Sequence, residues 1–123
     1  MSGGERRLLG RWGEEQGAQF LRRHGFHVLA AGWQCRYGEI DLIASKGGFL
    51  CFVEVKLRKD DRFAQAREFV DYHKQQRIRT SAQMYLAQYP TGLQPRFDVL
   101  EVYAPEGMDT KKPKIVLLEN AFQ

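Results

Sequence analysis

The sequence has few cysteines and no zinc-binding pattern. Its two cysteines, Cys35 and Cys51, lack CxxC spacing, and none of the three histidines stands at a zinc-type spacing from them. This argues against a disulfide framework and a structural zinc site. We expect both thiols to be reduced, as is usual in cytoplasmic proteins.

Long hydrophobic segments are also missing. The longest uninterrupted apolar run is residues 49–53, far short of the roughly 20 residues that cross a bilayer. The N-terminal segment has no apolar core of the kind found in signal peptides. We therefore expect a cytoplasmic protein with no membrane association.

The composition is that of a folded protein with a mild excess of positive charge. Its 123 residues, 43% apolar and 28% charged, suit one domain over 1–123. Nineteen Lys and Arg against fifteen Asp and Glu give a formal charge of +4. If several carboxylates gather at one site, the remaining surface is more basic than this sum, which favours a nucleic-acid partner.

Hydrophobic periodicity predicts two helices and five strands. One helix covers residues 5–24 and is closed by Gly25, and a second starts at an Asp71 N-cap and ends before Pro90. Strands are predicted over 26–34, 39–44, 49–56, 96–103 and 115–119. The order α-β-β-β-α-β-β indicates an α/β domain with helices flanking a mixed sheet. Residues 57–70 suit a short helix or an ordered loop, and 104–114 a mobile loop.

The Gly47-Gly48 pair predicts a tight turn between two strands. If Lys46 pairs with Phe49, opposed residue numbers sum to 95. Strand alternation then divides the hairpin into two faces. One face carries Ile40, Leu42, Ala44, Cys51, Val53 and Val55; the other carries Glu39, Asp41, Ile43, Phe52, Glu54 and Lys56.

This register sets Asp41 opposite Glu54 and Glu39 opposite Lys56. Directly opposed Cβ atoms lie roughly 4.5–5.5 Å apart, so the two carboxylates of the first pair repel each other unless a cation lies between them. We predict that Asp41 and Glu54 bind Mg²⁺, with the Val55 carbonyl as a further ligand. Lys56 would orient or deprotonate a water and stabilise charge on a phosphate.

A surface charge cluster is the alternative explanation of these residues. In it Glu39 pairs with Lys56 and Asp41 with Arg36. Exposed ion pairs of this kind are common and contribute little to stability.

Glu14 stands on a helix face of small and apolar residues, namely Gly10, Gly17, Ala18 and Leu21. That face is expected to pack closely on the sheet. Glu14 would complete the acidic cluster as a direct or water-mediated metal ligand, or it would pair with Arg11. Glu15, one position further round the helix, is expected to face solvent.

Basic residues flank the acidic end of the hairpin and begin the second helix. Phosphate contacts are one interpretation, and a solvated charged face is the other. These residues are Arg36, Arg58, Lys59, Arg62, Lys74 and Arg77.

Asp41 followed by Glu54-Val55-Lys56 resembles the signature of the PD-(D/E)XK nuclease superfamily. The wider pattern is similar to one branch, the YraN-like uncharacterised bacterial proteins, and extends over nearly the whole chain. The matching segments are Gly13-Glu14, Gly38-Glu39-Ile40-Asp41-Leu42-Ile43, Phe52-Val53-Glu54-Val55-Lys56, Lys74 with Arg77-Ile78, and Arg96-Phe97-Asp98-Val99.

The resemblance implies a restriction-endonuclease-like core with Glu14, Asp41, Glu54 and Lys56 at the active site. Relatives in the superfamily include Holliday-junction resolvases, and a junction enzyme is expected to be a homodimer. Gly32 departs from the family pattern, in which Asn is frequent at that place. Departures after Lys56 affect the substrate-facing loop.

The sequence thus predicts a Mg²⁺-dependent nuclease, with Mn²⁺ able to substitute, that acts on nucleic acid and most plausibly on DNA. A non-catalytic nucleic-acid-binding or scaffold protein that retains a nuclease fold is the alternative.

Overall fold

A computed structural model describes residues 2–60 and 70–123. Within them the elements are α1 (Gly3–Arg23), β1 (His27–Cys35), β2 (Gly38–Lys46), β3 (Phe49–Arg58), α2 (Tyr72–Gln88), β4 (Gln94–Tyr103) and β5 (Lys114–Phe122). The predicted order and the α/β class are confirmed. In the described part of the chain, no helix is long and apolar enough to cross a membrane.

Three of the four helix ends follow the expected signals, whereas α1 begins at Gly3, two residues before its predicted start. The Asp71 carboxylate accepts a hydrogen bond from the Lys74 N–H at 2.9 Å, so the predicted N-cap of α2 is confirmed. Gly25 follows α1 with a φ of 86°, a left-handed conformation that glycine adopts without steric cost. Ser2 caps the start of α1 by accepting from the Glu5 N–H.

The five strands form one sheet in the order β1-β2-β3-β4-β5. Neighbouring strands are antiparallel except β3 and β4, which are parallel and joined through α2. A parallel pair needs such a crossover because its chain must return to the starting edge.

The β2–β3 hairpin follows the predicted register only near its turn. Pairing runs from Lys46 with Phe49 to Leu42 with Val53, each pair summing to 95. The predicted backbone pairs Asp41–Glu54 and Glu39–Lys56 are wrong, because the two strands separate beyond Leu42.

The helices cover opposite faces of the sheet, each over its own apolar cluster. Ala18 and Leu21 of α1 pack with Leu42, Val53 and neighbours, and Ala82 and Tyr85 of α2 pack with Ile43, Phe52 and neighbours. The assignment of Ile40 to the Leu42 face is wrong, since Ile40 lies in the α2 cluster. Alternation is interrupted beside it: the β1–β2 pairing omits Gly32 and Asp41, and Gly32 has a φ of 62°.

Small residues let α1 approach the sheet closely. A Cβ atom on Gly17 would lie 3.1 Å from a methyl group of Leu42 and 3.2 Å from one of Leu100. The predicted close packing of this helix face is confirmed at Gly17, Ala18 and Leu21, all of which are buried.

Two connecting segments were predicted, residues 57–70 as a short helix or an ordered loop and residues 104–114 as a mobile loop. Residues 104–114 contain a short 3-10 turn, Gly107–Asp109, and their mobility stays a prediction. In the segment 57–70, β3 extends to Arg58, and residues 61–69 lie outside the described residues.

Candidate active site

The site lies where β2 and β3 separate. Val55 donates its backbone N–H to Oδ2 of Asp41 at 2.8 Å. The aspartate side chain therefore takes the place of a strand partner for this N–H, and this explains why the ladder ends at Leu42. Glu54, next to Val55, is only 5% exposed.

Two further carboxylates meet Asp41. Ligand oxygens of Glu14, Glu39 and Asp41 all lie within 4.8 Å of one another. Glu14 comes from α1, as predicted for a residue that completes the cluster. The predicted register set Glu39 opposite Lys56, and Glu39 was not predicted as a residue of the site.

Gly32 on β1 makes room for this arrangement. A Cβ atom at that position would lie 3.0 Å from Oε1 of Glu39 and 3.6 Å from Oε1 of Glu14. Its positive φ also favours glycine, and asparagine is among the few other residues that tolerate such a backbone. The departure from the family pattern at Gly32 is therefore conservative in backbone terms.

The carboxylates perturb one another. Burial, followed by the charge of Glu54 and then that of Glu14, raises the pKa of Asp41 to about 8, against the lowering effect of the Val55 N–H. Burial and the charges of Glu39 and Glu54 also raise the pKa of Glu14, which Arg11 partly offsets. This mutual repulsion indicates a site that a nearby positive charge would stabilise.

Lys74 supplies positive charge at this site in the described structure. Its ammonium lies 2.6 Å from Oε1 of Glu54. Burial lowers the pKa of Lys74, but the hydrogen bond and charge of Glu54, together with Asp41, raise it overall. Lys74 was predicted to contact phosphates, and no pattern in the sequence indicates its pairing with Glu54.

A cleft of about 190 Å³ leads to these groups from the side of α2. Asp41, Glu54 and Lys74 line it, together with Arg77 at its exposed rim. The cleft thus brings two of the six predicted phosphate-binding residues next to the predicted metal ligands.

Lys56 lies two residues after Glu54 on β3 and is opposite Glu101 of β4 in the parallel register. Within residues 2–60 and 70–123, no ion pair or hydrogen bond joins its ammonium to Asp41 or Glu54. Its predicted role and that of the Val55 carbonyl remain predictions. The ion pairs of the surface-cluster alternative, Glu39–Lys56 and Asp41–Arg36, are not formed among these residues either.

Of the other predicted phosphate-binding residues, those that the structure describes do not line the cleft. Arg36, in the β1–β2 turn, donates to the Tyr37 hydroxyl at 2.8 Å. Arg58 pairs at 3.3 Å with Glu101, which is fully buried, so its guanidinium has a structural partner. Lys59 is exposed after β3, and Arg62 lies outside the described residues.

The donor set fits a hard divalent cation. Mg²⁺ and Mn²⁺ prefer carboxylate oxygens and water, and Asp41, Glu14 and Glu39 offer three such groups with Glu54 adjoining. Histidine and cysteine, which zinc favours, are absent from this described cluster.

Comparison with known proteins identifies one family. The model of the uncharacterised protein family UPF0102 matches residues 13–102, a range that includes every carboxylate of the site. A UPF0102 protein of Caldanaerobacter subterraneus is 42% identical over 95% of this chain and 96% of its own length. Another from Nocardia farcinica is 44% identical over 85% of this chain and 83% of its own. A UPF0102 protein of Acetivibrio thermocellus is 39% identical over 95% of this chain and 92% of its own length.

Proposed function

The chain belongs to the uncharacterised protein family UPF0102, and we propose that it is a metal-dependent nuclease that hydrolyses phosphodiester bonds, with DNA as the favoured substrate. The observation that carries the proposal is the convergence of Glu14, Glu39, Asp41 and Glu54 at the point where β2 and β3 separate. Four carboxylates around one half-buried position repel one another, so a fold selected for stability alone would not bring them together.

The sequence supports the same reaction class independently. Asp41 and the Glu54-Val55-Lys56 segment resemble the PD-(D/E)XK signature, and the order of helices and strands agrees with the core expected from that resemblance. The resemblance supports the chemistry better than it supports a particular substrate.

Asp41 and Glu54 would hold Mg²⁺ or Mn²⁺, with Glu14 and Glu39 as direct or water-mediated ligands and the Val55 carbonyl as a further donor. When bound, the ion supplies Lewis-acid stabilisation of the negative charge that develops on the phosphate.

The basic side chains would complete the chemistry. Lys56 orients a water molecule whose oxygen attacks phosphorus. As this bond forms, the bond from phosphorus to the leaving oxygen breaks, the attacking water gives a proton to solvent water, and the leaving oxygen takes a proton from solvent water. Lys74 balances Glu54 in the free protein and, with Arg77, binds phosphate oxygens when substrate enters the cleft.

The test is a cleavage assay on labelled single-stranded, duplex and four-way-junction DNA, with Mg²⁺, Mn²⁺ or EDTA. We expect cleavage only with metal, and a loss of at least about 100-fold in rate for Asp41→Asn and for Lys56→Ala. Glu106→Gln is the matched control, because Glu106 is a carboxylate exposed to solvent that does not line the cleft.

Equal activity of wild type, Asp41→Asn and Lys56→Ala would show that a contaminant cuts the DNA. Salt-dependent binding without cleavage of any substrate would instead support a non-catalytic nucleic-acid-binding protein.

A further inference from the structure

A second groove approaches the carboxylates from the side of α1. It has a volume of about 800 Å³ and lies between α1 and β1. Glu14 and Glu39 stand at its inner end, so it joins the candidate active site on the face opposite the cleft beside α2. Arg7 and Arg11 line it along α1, and Gln34 lines it on β1.

The two arginines are available to an incoming anion. Both are exposed, and in the described part of the chain neither guanidinium forms an ion pair or a side-chain hydrogen bond. Arg11 does influence Glu14 electrostatically, lowering its pKa, and is therefore close to the acidic cluster. A guanidinium without a carboxylate partner is well suited to bind a phosphate oxygen.

The spacing along the helix matches a nucleic-acid strand. At 1.5 Å per residue, Arg11 stands about 4.5 Å and Arg7 about 10.5 Å before Glu14 along the axis of α1. Successive nucleotides of one strand advance about 3.4 Å along the axis of duplex DNA, and they stand further apart in an extended single strand. The two arginines therefore lie within about three nucleotides of the carboxylates.

Gly10 keeps this groove open. It faces the groove between the two arginines, and a Cβ atom there would meet nothing within 4 Å. A longer side chain at this position would extend from that open point into the groove.

We propose that this groove binds the nucleic-acid strand next to the scissile phosphate, with Arg7 and Arg11 holding its phosphates. The proposal rests on the proposed function, because a metal ion at the carboxylates is needed to offset their repulsion of the strand.

The test measures binding rather than cleavage. Fluorescence anisotropy of labelled single-stranded DNA is followed against salt concentration, in Mg²⁺ and in a Lys56→Ala background that keeps all four carboxylates. Adding Arg7→Ala and Arg11→Ala should weaken binding and make the slope of log K against log salt shallower by about 1.4. The matched control adds Arg22→Ala and Arg23→Ala, which remove the same charge from the far end of α1.

Gly10→Gln provides a test that leaves the charge unchanged. It should weaken binding, whereas Gly4→Gln at the start of the same helix should not, and circular dichroism checks that both variants are folded. Equal effects of the two arginine pairs, no effect of Gly10→Gln in the folded protein, or no DNA binding at all would overturn the groove proposal.

The two proposals fail separately. Cleavage by wild type with unaltered binding in the Arg7 and Arg11 variant would remove the groove and leave the nuclease. Groove-dependent binding without cleavage by wild type would remove the nuclease activity and leave the groove.

Discussion

Asp41 performs two tasks that oppose each other. Its carboxylate accepts the Val55 N–H and so shapes the point where the strands separate, while Glu54 and Glu14 repel its negative charge. In the free protein a proton relieves that repulsion, and in the proposed holo state a metal ion replaces the proton.

This raised pKa predicts how stability depends on pH without metal. Below about pH 4 Asp41 is protonated in both the folded and the unfolded chain. From there to about 8, the pKa of Asp41 in the folded state, only the folded chain keeps the proton. The free energy of unfolding should therefore fall as pH rises, by up to about 1.4 kcal/mol per pH unit.

Urea unfolding in EDTA across this pH range measures the slope. Asp41→Asn should reduce the slope of the free energy of unfolding against pH. Part of the slope should remain, because the pKa of Glu14 is also raised. Glu106→Gln, which removes one exposed carboxylate, is the control for the loss of a single charge. A slope that is the same in Asp41→Asn and wild type would contradict the assigned environment of Asp41.

At the residue scale, the sequence predicted that Asp41 and Glu54 lie together, but it did not predict all the residues that they contact. Asp41 and Glu54 could be predicted as neighbours because they flank a glycine turn at matching distances. Strand alternation placed Glu39 on the face of Asp41, but its approach to Glu14 also needs the space that Gly32 leaves. The pairing of Lys74 with Glu54 depends on how α2 lies on the sheet, which periodicity does not specify.

At the element scale, α1 does more than cover the sheet. Its glycines divide between two purposes: Gly17 allows contact with Leu42 and Leu100, whereas Gly10 faces an open groove. One helix thus supplies a packed face, the Glu14 carboxylate and the arginines of the groove.

This division predicts that the same substitution lowers stability more at Gly17 than at Gly10. Gly17→Val should be less stable than Gly10→Val by about 1–3 kcal/mol, because only the first forces a larger side chain into packed atoms. The change in intrinsic helix propensity is the same at both positions and cancels. Urea unfolding of the two variants gives the difference, and equal stabilities would contradict the described packing of α1.

Strand and helix order could be predicted because caps, glycines and apolar periods agree along the chain. The hairpin register was right where it depends on the turn and wrong beyond Leu42. There a side chain replaces a backbone hydrogen-bond partner, and a pattern of apolar and polar letters does not reveal such a substitution.

At the scale of the whole molecule, the two helices leave two approaches to one group of carboxylates. The cleft beside α2 is small and lined by Lys74 and Arg77, and the groove beside α1 is larger and lined by Arg7 and Arg11. A strand in the groove and a phosphate at the carboxylates would be held from opposite faces of the sheet.

The measurement that tests the central claim most directly is Mn²⁺ uptake by wild type and Asp41→Asn, each with the same DNA oligonucleotide. The electron paramagnetic resonance signal of the free aqueous ion reports uptake. We expect wild type to remove more Mn²⁺ from solution than Asp41→Asn, with tighter uptake as pH approaches 8, the pKa of Asp41 being about 8. Equal uptake by the two proteins across this pH range would contradict a metal site at Asp41.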